Sequence, residues 1–133
     1  MEKAAVYLVR CTRLYDPGHS TGHIGTYPDT MASTINQRAM HEDVVPVVRA
    51  VSRLEGSFLI AAYCNSGEHR SVAIAEMVYR LFLQLGCYTV KRDLCDSLWS
   101  RRGCGCCTIC SLSTSHDVRD RAVAKFVQMV IYS

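Results

Sequence analysis

Two periodicities divide this chain. Ala4 to Arg10 (AAVYLVR) and Ser57 to Cys64 (SFLIAAYC) are short, apolar and rich in strand-forming residues, so both read as buried strands. Between them Val44, Val47, Val48, Val51 and Leu54 recur at helical spacing, and Glu55-Gly56 is placed to end that helix. Asp29 or Thr30 is positioned to cap an earlier helical piece, which Pro46 separates from the second. Ser71 to Leu85 predicts a strong helix, with Val72, Ala75, Tyr79 and Phe82 on one face and Ile74, Val78 and Leu81 beside it; Gly86 stops it. Tyr88 to Leu94 (YTVKRDL) alternates like a third strand. A cysteine-rich loop from Cys95 to about His116 follows. Asp117 then caps a last helix whose stripe is Val118, Ala122, Val123, Phe126, Val127 and Val130.

Strands alternating with helices imply an α/β fold: a layered sandwich with a mainly parallel sheet and flanking helices. Residues 1–133 are expected to form one domain, with 95–116 as a loop inside it. The length of 133 residues suffices for a core without covalent staples. Apolar residues make up 49% and charged residues 20%, a globular balance rather than a disordered one. A net charge of +3 permits an anionic ligand but is far from the basic excess that by itself argues for nucleic acid. No apolar run approaches a membrane span, and the opening MEKAAVYLVR lacks the form of a secretory signal. A cytoplasmic protein with no membrane partner is therefore expected, its eight cysteines reduced rather than paired.

The chemistry concentrates after the second strand, in Cys64-Asn65-Ser66-Gly67-Glu68-His69-Arg70-Ser71. In α/β sheets ligands bind beyond the carboxyl ends of strands. Unpaired N–H groups and the dipole at the start of the next helix favour phosphate or carboxylate there. Gly67 lets the backbone curl towards an anion, Arg70 can clamp it with two parallel hydrogen bonds, and Ser66 and His69 add donors. The alternative is a tight turn with a buried cysteine and a surface arginine.

The spacing C-x-x-G-x-x-R-S also matches the signature loop of cysteine-dependent phosphatases, in which a thiolate attacks phosphorus. Read that way, Cys64 is the nucleophile, Arg70 holds the phosphoryl oxygens, and Ser71 assists the leaving thiolate. Asp29, in Tyr27-Pro28-Asp29, is the general acid. Tyr63 stands where those enzymes usually carry histidine.

The longer string YCNSGEHRSVAIAE resembles more closely the C-terminal domain of the RapZ family, bacterial RNase adapter proteins with stand-alone eukaryotic members. Cys64, Gly67, His69, Arg70, Ser71, Val72, Ala75 and Glu76 match its core. Val9-Arg10, Asp16-Pro17-Gly18-His19, Thr21 to Gly25 and Pro28 are similar to its first strand and following loop. Trp99 and Arg102 to Cys110 are similar to a Trp- and Cys-rich segment of the eukaryotic members. The resemblance implies a binding or sensor domain for an amino-sugar phosphate, with RNA as a further partner. Its ligand would be held by Asn65, Ser66, Gly67, His69, Arg70 and Ser71, with Arg10 and His19 approaching from the first strand and its loop. Asn65-Ser66 stands in place of the bacterial Thr-Gly, and no phosphate-binding G-x-x-x-x-G-K-[ST] motif occurs, so no ATP site is expected.

Cys104, Cys106, Cys107 and Cys110 form C-x-C-C-x-x-C, a candidate zinc site with Cys95 and His116 within reach along the loop. Their crowding into seven residues equally suits reduced structural cysteines, or disulfide and redox roles. Cys11 and Cys87 read as packing residues. Lys91-Arg92 and Arg101-Arg102 could form a basic rim for RNA or a second phosphate, or simply solvated surface.

Overall fold

The computed structural model describes residues 5–15, 24–64, 70–93, 110 and 116–132. Among them the architecture is α/β. Strand β1 (Ala5–Arg10) pairs in parallel with β2 (Phe58–Tyr63), and four α-helices accompany them: α1 (Pro28–Ile35), α2 (Val45–Ser52), α3 (Arg70–Gln84) and α4 (Asp117–Ile131). A π-helical turn, Met40–Val44, runs directly into α2. Among the described residues no helix is long and apolar enough to cross a membrane.

The strand register runs from Ala5 opposite Phe58 to Arg10 opposite Tyr63. Side chains alternate between faces along a strand, so Tyr7 and Val9 share a face with Ile60 and Ala62. That face joins the core. The opposite face carries Val6, Leu8, Leu59 and Tyr63, all exposed. Rings link sheet to helix: Tyr7 meets Phe58 edge-on at 6.5 Å, and Phe58 meets Phe82 of α3 at 5.3 Å. The helical stripes close the core through Met31, Ile35, Val48, Val51, Ile74, Met77, Leu81, Phe126 and Val130.

Local chemistry sets the ends. Helix α3 finishes in a Schellman motif, with Cys87 N donating to Phe82 O at 3.0 Å and Gly86 N to Leu83 O at 3.0 Å. Gly86 supplies the required positive φ of 81°. Arg49 of α2 donates Nη2 to Met129 O at 2.7 Å and Nε to Val130 O at 3.0 Å. It thereby satisfies the last carbonyls of α4 and complements the negative end of that helix.

Four sequence expectations need correction. Helix α1 is capped by neither Asp29 nor Thr30. Pro28 stands in its first turn, where a missing N–H costs nothing, so Tyr27 becomes the N-cap position. Helix α2 ends at Ser52, before Glu55-Gly56; Gly56 (φ 89°) serves the turn into β2 instead. The cap of α4 is His116, whose Nδ1 accepts from Val118 N at 3.2 Å, leaving Asp117 as the first helical residue.

The fourth is the third strand: Tyr88 to Asp93 forms none, and Leu94 lies outside the described residues. The alternation is present but inverted. Thr89, Lys91 and Asp93 are the half-buried set, while Tyr88, Val90 and Arg92 face solvent. The cause is Glu76, buried on α3, which draws Lys91 Nζ to 2.8 Å and so pulls the polar edge inwards. Arg80 meets only one oxygen of this carboxylate, and leaving the other buried without a donor costs more than the exposure of two apolar side chains.

Candidate functional site

Because β1 and β2 run parallel, the segments that leave them emerge at one end. Cys11 follows β1 and Cys64 follows β2. Cys11 N donates to Tyr63 O at 3.0 Å, which carries the ladder one residue past the strand. The next pair in register is therefore Cys11 beside Cys64, both on the core-facing side. Cys11 is fully buried and Cys64 half-buried; both are thiols.

Helix α3 opens at the same end. Ser71 N donates to Cys64 Sγ at 3.4 Å, and Ser71 Oγ lies 3.2 Å from the same sulfur. The sulfur thus sits against the first turn of α3, where a backbone N–H and the positive end of the helix dipole meet it. Arg70 is buried. Its Nη1 donates to Thr12 O and Leu14 O, each at 3.1 Å, tying the start of α3 to the loop after β1. Its Nε is buried with no hydrogen-bond partner among the described residues. Nε shares one edge of the guanidinium with Nη2, and that edge has the fork geometry that suits two oxygens of a carboxylate or phosphate.

Around this end the charges alternate. Arg13 forks onto consecutive carboxylates of the π-helical turn, Nη2 to Glu42 Oε2 at 2.6 Å and Nη1 to Asp43 Oδ1 at 2.8 Å. Hydrogen bonds from Arg13 and then Arg38 hold the Glu42 carboxyl below its ordinary range. Asp43 keeps its other oxygen, Oδ2, buried and without a partner among the described residues. The Cys11 thiol is pushed up to about 12, first by burial, then by the neighbouring Cys64; Arg70 pulls in the opposite direction. Cys11 is accordingly a neutral thiol at ordinary pH.

The structure brings Cys64, Arg70 and Ser71 together as their spacing suggests. Arg10 is exposed, with Nε on Thr12 Oγ1 at 2.8 Å. Asp29 is exposed in the first turn of α1 and makes no hydrogen bond or ion pair among the described residues. His19, Asn65, Ser66, Gly67 and His69 lie outside the described residues, as do Cys104, Cys106 and Cys107. Cys110 is buried with Ile24 and Val72, and its carbonyl accepts from Thr26 Oγ1 at 2.8 Å. Among the described residues no three candidate ligands cluster to hold a metal. Of the expected basic rim, Lys91 is occupied by Glu76 and Asp93, Arg92 is exposed, and Arg101 and Arg102 lie outside the described residues.

Cys11, read from the sequence as a packing residue, is buried, whereas Cys87, read the same way, is exposed; what sequence reasoning missed is the place of Cys11 beside Cys64. The available signal was that both apolar strands end in cysteine, VRC and AYC; in a parallel pair that sets the two thiols side by side. Comparison of the chain with protein-family models, with curated proteins and with solved structures returned no match. The functional reading rests on the residues and their arrangement.

Proposed function

We propose that this is an α/β binding domain for a phosphorylated small molecule, with an anion loop at the turn from β2 into α3. The observation that carries the reading is Arg70: buried, anchored through Nη1, with Nε lacking a partner among the described residues. A buried charged donor left unsatisfied is costly and marks a place where a ligand completes the hydrogen bonding. An oxyanion on the Nε–Nη2 edge would also meet the start of α3. Cys64 then borders the anion without attacking it. The amino-sugar phosphate class, Asn65, Ser66, Gly67 and His69 as further contacts, and an RNA adapter role come from the resemblance to the RapZ C-terminal domain.

The test is calorimetric titration of the full chain with inorganic phosphate and with glucosamine-6-phosphate. Arg70→Lys keeps the charge but loses the fork. Binding that weakens tenfold or more in this variant, with the fold intact by circular dichroism, supports the reading. Equal affinity in both proteins, or none in the wild type, ends it.

A second reading is favoured by the contacts of Cys64 with Ser71. Cys64 Sγ accepts from Ser71 N at the start of a helix and, as a thiol, donates to Ser71 Oγ, a hydroxyl that can turn to donate to a thiolate instead. In that case Cys64 attacks the phosphorus of a monoester, the leaving oxygen takes a proton from Asp29, and water then releases phosphate from the cysteine. Turnover of an aryl phosphate that disappears in Cys64→Ser would establish this; a folded but inactive wild type would exclude it. Cys64→Ser should leave phosphate affinity largely intact under the binding reading.

A further inference from the structure

We propose that Cys11 and Cys64 form a reversible disulfide that withdraws the Cys64 sulfur from the anion loop, giving this end of the sheet a redox switch. The pairing itself stands on strand register; only its effect on the ligand rests on the reading of the site as an anion pocket.

The geometry comes from the parallel ladder. Arg10 opposes Tyr63, and the Cys11 N–H bond to Tyr63 O extends the pairing to the next position. Neighbouring strands lie about 4.8 Å apart, within the Cα separation of roughly 4.4–6.8 Å that a disulfide spans. Both side chains point to the core face, since Tyr7, Val9 and Cys11 alternate with the exposed Val6 and Leu8, and Ile60, Ala62 and Cys64 with the exposed Leu59 and Tyr63. Two thiols held side by side on adjacent strands need rotation about their side-chain torsions and little backbone movement.

The two sulfurs have different roles. Cys64 is half-buried and meets the N-terminus of α3, so it is the one that an oxidant reaches. With a hydroperoxide as oxidant, the Cys64 thiolate attacks the peroxide oxygen. Its sulfur becomes a sulfenic acid, and the peroxide's other oxygen leaves as an alcohol or water after taking a proton. Cys11 then attacks the sulfenic sulfur; its thiol proton and the displaced hydroxyl leave together as one water. Two thiols lose two electrons and the peroxide gains them. The fully buried Cys11 is a poor nucleophile because it stays protonated, but part of that effect comes from the charge on Cys64 and vanishes once Cys64 is a neutral sulfenic acid. The resolving step follows the first oxidation rather than competing with it.

The disulfide draws Cys64 Sγ towards β1, breaking its contacts with Ser71 N and Oγ. These contacts tie the first turn of α3 to the end of β2, so oxidation is expected to lower phosphate affinity, and reduction to restore it.

The test treats the full chain with hydrogen peroxide, blocks remaining thiols with iodoacetamide, and digests with trypsin. Cleavage after Arg10, Arg13, Arg53 and Arg70 isolates Cys11 in residues 11–13 and Cys64 in residues 54–70, each as the single cysteine of its peptide. The expected product is the cross-linked pair of these peptides, lost on adding dithiothreitol and absent from Cys11→Ala and Cys64→Ser. Cys64 carried to sulfinic acid, or linked to any cysteine other than Cys11, would overturn the proposal. Phosphate titration of the intact chain, oxidised and reduced, before blocking and digestion, separates the two readings. A disulfide with no phosphate binding in either state keeps the switch and sinks the anion pocket. Phosphate binding with no disulfide does the reverse.

Discussion

Alkaline pH should destabilise this fold through Cys11, and the effect can be isolated. The thiol is completely buried and pushed from an ordinary 9.0 to about 12, mainly by loss of water around the thiolate. In the unfolded chain it titrates normally. The sign follows: below pH 9 both states hold the proton and nothing is lost, whereas between about 9 and 12 only the folded state holds it. Stability therefore falls as pH rises through that window. The full shift corresponds to about 4 kcal/mol, and by about pH 10.5 roughly 2 kcal/mol of it should be gone. Tyrosines and lysines titrate in the same range, so the comparison must be with Cys11→Val, which fills similar space without a proton to lose. Urea denaturation under reducing conditions, at about pH 8 and about pH 10.5, gives the stability difference between wild type and variant at each pH. The wild type should lose about 2 kcal/mol more than the variant across the interval, close to 1 M in urea midpoint. Parallel losses in the two proteins would refute the account, since Cys11 would then titrate alike in both states.

Three further predictions concern the frame that holds the site. Glu76→Gln strips the charge from a buried carboxylate bound by Arg80 and Lys91, each at 2.8 Å. Both cations keep some solvent and Arg80 keeps Asp120, so the cost should be about 2 kcal/mol by urea midpoint, and an unchanged midpoint would show the pair to be dispensable. Gly86→Ala meets open space but a φ of +81°, so it should cost about 1 kcal/mol from backbone strain alone, read as a lower melting temperature. Arg49→Met leaves the Met129 and Val130 carbonyls without their charged donor and should cost roughly 1–2 kcal/mol, with faster amide exchange at the end of α4 as the local signature.

The strands were legible as apolar runs and the two long helices from strong apolar periodicity, and β1, β2, α3 and α4 fall within a residue or so of expectation. The strands were read as buried, however, and one face of the pair, with Val6, Leu8, Leu59 and Tyr63, is exposed. Features decided by distant partners were not legible. The alternation of Tyr88 to Asp93 looked like a strand because its apolar residues were assumed to face inwards, but a buried acid from α3 reversed the sides. At α1 a proline in the first turn outweighed the aspartate as the mark of the start. At the site, the spacing of Cys64, Arg70 and Ser71 announced a strand-to-helix turn. What Arg70 does with each nitrogen depended on the carbonyls of Thr12 and Leu14, far along the chain. The part Cys11 plays beside Cys64 escaped notice for the same reason: it was read as packing alone, and only strand pairing gives it a neighbour.

The parallel register also divides the chain into parts that tolerate length changes and parts that do not. Residues added to the exposed Arg53 to Ser57 connection alter only how the chain travels between the strands, because loop length is a weak constraint. A single residue added inside β1 would turn every later side chain of that strand to the other face. Leu8 would then meet the core and Val9 would meet water, and Cys11 would move one position past Cys64. Lineages of this fold should therefore vary in the crossover and keep a fixed count from Ala5 to Cys11 and from Phe58 to Cys64.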